Sequence, residues 1–195
     1  MREDALTDEA LVDAARDGSE GAFRELVERY EDRVASVVIR MLGDTPEAED
    51  VGQETFIRFY RSLRRFRGQA SVGTYLTRIA INLSLNEIKK RRRRSIFVPF
   101  IPPGKGNDAP DMEFEDPRAS AEYDDTADRI QRALNQLKPE FRSVIVLRLM
   151  EGYSTKETAE ILGLPVGTIL SRLRRSQEKL KRILISHREL VHETI

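Results

Sequence analysis

The chain has 195 residues, and 33 Lys and Arg residues balance 33 Asp and Glu residues, so its formal net charge is zero. A hydrophobic content of 39% supplies enough apolar side chains for packed cores, which excludes wholesale disorder. The absence of cysteine excludes disulfide scaffolds, thiolate metal sites and cysteine nucleophiles. The two histidines, His187 and His192, lie close together near the end of the sequence, so we expect no histidine-based metal or catalytic centre.

The length permits one domain or two small ones, at roughly 100–200 residues per domain. No apolar run approaches the roughly 18 residues that a membrane span needs. The N-terminal sequence MREDALTDEA is too acidic for a signal peptide. We therefore expect a soluble, cytoplasmic protein that does not insert into a membrane and needs no cofactor.

The zero net charge conceals a strong segregation of charge along the chain. Residues 1–60 carry 7 basic and 16 acidic groups, net −9, and residues 61–94 carry 11 and 1, net +10. Residues 95–125 carry 2 basic and 8 acidic groups, net −6, and residues 126–195 carry 13 and 8, net +5. Such segregation is typical of separate surfaces that meet partners of opposite charge, although alternating solvated helix faces also produce it.

The first third of the sequence has helical periodicity. Apolar residues recur at i, i+3, i+4 and i+7 until Gly43, which predicts the end of one helix. Thr45 and Pro46 predict the start of the next helix, as its N-cap and its first residue. A third long helix is expected to begin after Ser71 and to end in a terminal basic run, residues 89–94.

A proline-rich stretch then interrupts the helical pattern. Residues 95–121 contain five prolines, two glycines and a cluster of acids, which predicts a flexible acidic linker. A second helical region follows, and no segment shows strand-like alternation. We therefore predict an all-α fold of two small helical domains, residues 1–94 and 122–195, joined by this linker.

The most specific local pattern lies in the C-terminal region. Ser154 and Glu157 form a capping box that predicts a short helix from Thr155. Gly163 suits the left-handed residue that ends this helix, and a longer helix is expected from about Val166. Two helices around a tight turn indicate a helix-turn-helix, whose second helix can enter a major groove. The alternative is an ordinary helical hairpin with a solvated basic face.

The outward face of the second of these helices is rich in arginine and hydroxyl groups. Arginine can read guanine through two hydrogen bonds, whereas hydroxyl groups and other cations hold phosphates. We expect Ser171, Arg174 and Arg175 to read bases of duplex DNA. The residues expected to hold phosphates are Thr155, Thr168 and Arg172.

A second candidate site lies in the basic segment of residues 61–94. Basic groups interleaved with aromatic rings suit single-stranded DNA, whose bases stack on rings while cations follow its phosphates. Asn82 lies one turn after Arg78, and its amide can bond to an unstacked base. Core packing of Phe66 and Tyr75, and a solvated helix end for the terminal basic run, remain the alternatives.

Together, four segments resemble the sigma-factor family of bacterial RNA polymerase, specifically its extracytoplasmic-function group. PEAEDVGQETF, residues 46–56, resembles the acidic segment that docks on the clamp helices of core polymerase. Residues 66–82 resemble the segment that opens and reads the minus-ten element, and residues 137–154 resemble the entry to the C-terminal domain. GLPVGTILSRLRR, residues 163–175, is similar to the minus-thirty-five recognition helix. The likeness spans roughly residues 8–94 and 122–185, in the family's order.

The resemblance implies a non-catalytic initiation factor that binds core RNA polymerase and both duplex and melted promoter DNA, with an anti-sigma protein as its regulator. It makes residues 1–94 a region 2-like domain and residues 122–195 a region 4-like domain. The residues that it assigns to polymerase binding are Glu47, Glu49, Asp50, Gln53, Glu54 and Phe56. Those that it assigns to the minus-ten element are Arg65, Phe66, Arg67, Gln69, Ser71, Tyr75, Arg78 and Asn82.

The chain departs from the family pattern at several positions. Val72 and Gly73 stand where an aromatic and a basic residue are usual, and Tyr75 replaces a usual tryptophan. Leu170 occupies a position that is often basic. It removes one phosphate or base contact but permits apolar contact with a thymine methyl group, so it joins the minus-thirty-five candidates.

Two other functions are compatible with parts of the sequence. A stand-alone helix-turn-helix regulator would use residues 1–94 for dimerisation or sensing, and it would not need the acidic patch at 47–54. A nuclease with a carboxylate metal site in that patch would lack support from histidine or cysteine, and acids are common in a first helical turn. The acidic linker is expected either to thread a cationic channel of polymerase or to serve as a plain tether.

Overall fold

The structure is a computed structural model that describes residues 6–96 and 126–192, and no strand occurs within these two ranges. The first range forms α1 (Asp8–Arg16), α2 (Glu20–Leu42), α3 (Pro46–Ser62), a 3₁₀ turn (Leu63–Arg65) and α4 (Val72–Ile96). The second forms α5 (Thr126–Asn135), α6 (Pro139–Ile145), a π-helical segment (Val146–Met150), α7 (Thr155–Leu162) and α8 (Val166–His192). The predicted all-α fold is confirmed. Apart from the end of α4, the predicted linker lies outside the described residues.

The helix boundaries of the N-terminal domain follow the predicted capping signals. The amide of Ala48 donates to Thr45 Oγ1 at 3.3 Å, and Pro46 is the first residue of α3. Gly43 ends α2 with a φ of +80°, a backbone conformation that side chains other than glycine rarely adopt. Helix α1 was not predicted, although Thr7 caps it by accepting from the amide of Ala10 at 3.3 Å.

Helices α2, α3 and α4 enclose the core of the N-terminal domain. Phe59 of α3 is fully buried beside Leu26 of α2 and Leu76 of α4. Among the described residues of the C-terminal domain there are two smaller cores, one of which joins Val144 and Ile169 across α6 and α8. These cores fix α8 relative to α6 and α7, so its polar face is directed away from the domain.

The two domains pack against each other, which the sequence did not predict. Val146 and Tyr153 of the C-terminal domain are buried in the same apolar cluster as α2 and α4. The buried Arg142 donates to the carbonyl oxygen of Met41 at 2.6 Å and to that of Asn135 at 2.5 Å. Burial lowers the pKa of Arg142 to about 10, so its guanidinium group remains charged at neutral pH.

An ionic cluster lies beside this apolar contact. The side chain of Glu151 is 8% exposed and accepts a hydrogen bond from Arg40, while Arg33 lies 3.7 Å away. The Arg33 guanidinium group also lies over the ring of Tyr153, 5.1 Å from its centroid. A Cβ atom at Gly73 would lie 2.9 Å from Arg33 Nη1. The small residue therefore leaves the space that this arginine uses to reach the other domain.

Candidate nucleic-acid and polymerase interfaces

The helix-turn-helix is built as its capping signals predicted. The amide of Glu157 donates to Ser154 Oγ at 3.2 Å, and the amide of Ser154 donates to Glu157 Oε2 at 2.8 Å. These side-chain and backbone hydrogen bonds with Ser154 lower the pKa of Glu157. Gly163 ends α7 in the left-handed conformation, with φ of +64°. The turn therefore has a fixed geometry from which α8 starts.

Helix α8 turns its polar candidates outward. Ile169 and Ser176 are fully buried, and the Ser176 hydroxyl group lies within hydrogen-bonding distance of the carbonyl oxygens of residues 172 and 173. Among the candidates, Arg174 is restrained by Glu178, whose Oε1 lies 3.2 Å from its Nε. The exposed candidates on this helix are Leu170, Ser171, Arg174 and Arg175. The half-buried candidates are Thr168 and Arg172 on α8 and Thr155 on α7.

The minus-ten candidates lie along a loop and the first three turns of α4. Arg16 holds this loop, because its Nε donates to Leu63 O at 3.2 Å and its Nη2 donates to Phe66 O at 3.0 Å. Sequence reasoning missed Arg16, since only the fold brings it within reach. The Ser71 hydroxyl group accepts from the amide of Thr74 at 3.2 Å, so this candidate also stabilises the start of α4.

The two aromatic candidates form the edge of the core. Phe66 and Tyr75 are half-buried and meet edge to face, with ring centroids 5.1 Å apart. Arg78 is also half-buried, and its Nε is buried with no hydrogen-bond partner among the described residues. The exposed candidates are Arg65, Arg67, Gln69, Ser71 and Asn82.

Helix α3 carries all six polymerase candidates. Glu47 pairs with Arg91 at 3.1 Å, and its pKa is lowered by a backbone hydrogen bond within its own residue and by the charge of Arg91. Arg91 also donates to Thr45 Oγ1 at 2.8 Å. This member of the terminal basic run therefore stabilises the join between α2 and α3. Asp50 is exposed, and its side chain makes no hydrogen bond or ion pair within the described part of the chain.

A groove of about 680 Å³ runs between α2 and α3. Three polymerase candidates line it, namely Glu49, Gln53 and Phe56. Its floor is apolar, with Val27 and Val34 of α2, and its lining also includes the acids Glu31 and Asp44. The groove therefore combines apolar surface with negative charge.

Two family descriptions match the chain. "Sigma-70 region 2" matches residues 26–94 and "Sigma-70, region 4" matches residues 127–180. The RNA polymerase sigma-H factor of Pseudomonas aeruginosa is 34% identical over 187 residues, which cover 91% of this chain and 93% of that protein. The ECF RNA polymerase sigma-E factor of Escherichia coli K12 is 37% identical over 187 residues, with 90% and 93% covered. The chain belongs to the sigma-70 family. Within it, the relatives place the chain in the extracytoplasmic-function group.

Two solved structures share the fold of this chain. The structure of CnrH in complex with the cytosolic domain of CnrY aligns with a TM-score of 0.65 at 24% identity, covering 92% of this chain and 97% of that one. The sigma factor RpoE of Bartonella quintana, in complex with the anti-sigma factor NepR, aligns with a TM-score of 0.62 at 24% identity, covering 83% and 96%. These two likenesses extend the agreement from sequence to fold.

This sigma factor binds core RNA polymerase and directs promoter-specific initiation of transcription, as its family does. Sigma factors are non-enzymatic initiation factors. Within residues 6–96 and 126–192, no helix has the length and apolar character of a membrane span. The same two ranges contain no group of three or more acidic or histidine side chains arranged to hold a metal ion.

Proposed function

We propose that the chain divides its contacts with the transcription machinery among three surfaces. Helix α3 meets core polymerase, the loop before α4 and the start of α4 capture the melted minus-ten element, and α8 reads the duplex minus-thirty-five element. The observation that carries this proposal is the two-sided character of α8. Its apolar side is buried against α6 and α7, whereas Ser171, Arg174 and Arg175 are open to solvent.

For polymerase binding, the support comes from charge and shape. The groove between α2 and α3 offers an apolar floor beside carboxylates, which fits a basic amphipathic helix of the polymerase. Asp50 at the start of α3 is exposed, so no ion pair within the described chain has to be broken before it meets a cation. We assign Glu47 a smaller part in binding polymerase, because it already pairs with Arg91.

For the minus-ten element, the support comes from an aromatic edge beside basic residues. Phe66 and Tyr75 are both half-buried residues at the edge of the core, so an unstacked base can reach them from the surface. Arg65 and Arg67 flank Phe66 in the sequence, and both are exposed and can follow the phosphates. Asn82 is exposed on α4, two turns after Tyr75 and on the same surface.

The chain acts in the cytoplasm, where core polymerase and the chromosome are, and it has no catalytic role. An anti-sigma protein regulates it, in keeping with the sigma factor RpoE of the same fold, which was solved in complex with the anti-sigma factor NepR. The domains extend over residues 1–94 and 122–195, which contain both matched family regions.

A substitution in α8 tests the duplex-reading surface. We expect Arg175→Ala to weaken binding of the holoenzyme to duplex promoter DNA by roughly 1–3 kcal/mol and to relax discrimination at one base pair. Arg182→Ala, which removes another exposed cation two turns along α8, is the matched control. Unchanged binding by the Arg175 variant to both matched and mismatched upstream elements would remove this residue from the site.

A further inference from the structure

Two large apolar side chains are exposed at the start of the recognition helix. Val166 is 45% exposed and Leu170 is 53% exposed. They are four residues apart and therefore lie on the same side of α8. Neither belongs to the buried clusters, and Ile169 supplies the inward contact at this level of the helix. The exposed pair thus contributes nothing visible to the packing of the domain.

The surroundings of this pair are those of a surface that approaches another molecule closely. A Cβ atom at Gly167 would have no atom within 4 Å, so the helix surface next to the two residues is open. Leu170 is followed directly by Ser171 and, one turn later, by Arg174. In a helix-turn-helix, the N-terminal residues of the second helix are those that contact base edges. The apolar pair therefore lies among the residues that face the bases.

The chemistry of the major groove then limits what Leu170 can recognise. Base edges there present hydrogen-bond donors and acceptors, and the apolar group among them is the C5-methyl group of thymine. A leucine side chain forms no hydrogen bond, and opposite a donor or acceptor it would leave that group without a partner. A thymine methyl group is the base-edge feature that Leu170 can contact without such a loss.

We propose that Leu170 is a specificity-determining residue that selects thymine within the upstream promoter element by contact with its methyl group. Val166, on the same side one turn earlier, extends the apolar contact along the groove. This inference rests on the proposed role of α8 in reading duplex DNA. It adds that α8 selects one A·T base pair by its thymine methyl group. The residue that does so, Leu170, stands at a position where the family often has a basic residue.

The experiment removes single methyl groups from the DNA. The holoenzyme, formed from core polymerase and the full chain, first selects its upstream element from random duplex DNA. Each thymine of the selected element is then replaced in turn by deoxyuridine, which differs only in lacking the methyl group. We expect one such replacement to weaken binding of the wild-type holoenzyme by about fourfold, the effect of burying one methylene-sized group.

Variants of the protein assign this effect to Leu170. Leu170→Ala should bind the thymine and deoxyuridine duplexes with equal affinity, whereas Ile185→Ala, which shortens an exposed apolar residue further along α8, should keep the fourfold difference. Wild-type binding that is insensitive to every deoxyuridine replacement, or an effect that persists in Leu170→Ala, would overturn the inference while leaving duplex reading by α8 intact. A holoenzyme that selects no upstream element would overturn the proposed function and this inference with it.

Discussion

The hydroxyl group of Tyr153 donates a hydrogen bond of 2.9 Å to Thr77 Oγ1, and both side chains are buried. Thr77 lies in α4 of the N-terminal domain, beside the minus-ten candidate Arg78. Tyr153 lies directly before the Ser154 cap of the helix-turn-helix. The bond therefore joins the elements that carry the two DNA-binding surfaces. The apolar cluster around it holds the two domains of the free chain together in a closed arrangement.

This closed arrangement is too short to contact both promoter elements. From Thr77, the chain path through Tyr153, α7 and the first turns of α8 reaches Arg175 within about 55 Å, at about 1.5 Å per helical residue and at most about 3.5 Å per residue elsewhere. Elements centred near −10 and −35 are about 25 base pairs apart, or roughly 85 Å of duplex at 3.4 Å per base pair. We therefore predict that the domains separate when the holoenzyme binds a promoter.

Fluorescent labels at two exposed positions, Arg58 on α3 and Lys181 on α8, measure this separation by energy transfer. We expect high transfer in the free chain and a large decrease in the holoenzyme–promoter complex. Glu151→Gln should lower the transfer in the free chain, because it removes the charge that Arg33 and Arg40 share across the contact. Equal transfer in the free and promoter-bound states would show that the domains do not separate.

Two glycines inside helices are predicted to respond oppositely to alanine. Nothing lies within 4 Å of a Cβ atom at Gly52 in α3, so Gly52→Ala should stabilise the protein by about 0.5–1 kcal/mol through helix propensity. A Cβ atom at Gly73 would meet Arg33 and Tyr30 at 2.9 Å, so Gly73→Ala should destabilise it by about 1–3 kcal/mol. Urea unfolding measures both variants. Stabilisation by both would show that Arg33 and Tyr30 yield to the added methyl group without loss.

The sequence predicted the local features of the fold better than the contact between the domains. Ser154, Glu157 and Gly163 act on their own helix, so the bounds of α7 follow from nearest neighbours along the chain. Glu151 and Tyr153 pair with residues more than 70 positions away, and nothing in their own segment indicates those partners. The structure keeps the polymerase candidates together on α3 and the minus-thirty-five candidates together on α7 and α8. Nothing in the sequence around Arg16, by contrast, indicates that it holds the minus-ten loop.

Arg142 is predicted to stabilise both domains at once. It is buried and donates to carbonyl oxygens of Met41 near the end of α2, of Asn135 at the end of α5, and of Leu137 just after α5. Arg142→Met should leave these buried acceptors unsatisfied and lower the free energy of unfolding by about 1–3 kcal/mol. Arg58→Met, on the exposed surface of α3, should change it by less than about 0.5 kcal/mol. Equal effects of the two substitutions would contradict the bridging role.

The titration of Tyr30 is predicted to make the free energy of unfolding depend on pH in the alkaline range. Burial, and then its hydrogen bond to Asp8, raise the pKa of Tyr30 from 10.0 to about 12. The neutral phenol is favoured in the folded state, so its contribution to stability is complete below pH 10 and is lost as the pH rises through 12. The difference in free energy of unfolding between wild type and Tyr30→Phe should therefore shrink across this window. A constant difference would show that Tyr30 does not titrate as described.

The most direct test of the central claim is specific initiation by core RNA polymerase supplemented with this chain on a library of genomic promoters. We predict defined start sites that share an upstream and a downstream element, and their loss with Asp50→Lys, because a positive charge replaces the exposed carboxylate on α3. The control is Glu28→Lys, which changes an exposed acid on α2 instead of α3. Polymerase with this variant should initiate normally. No specific transcript from wild type, together with binding of the isolated chain to a palindromic operator, would contradict the claim and indicate a stand-alone regulator.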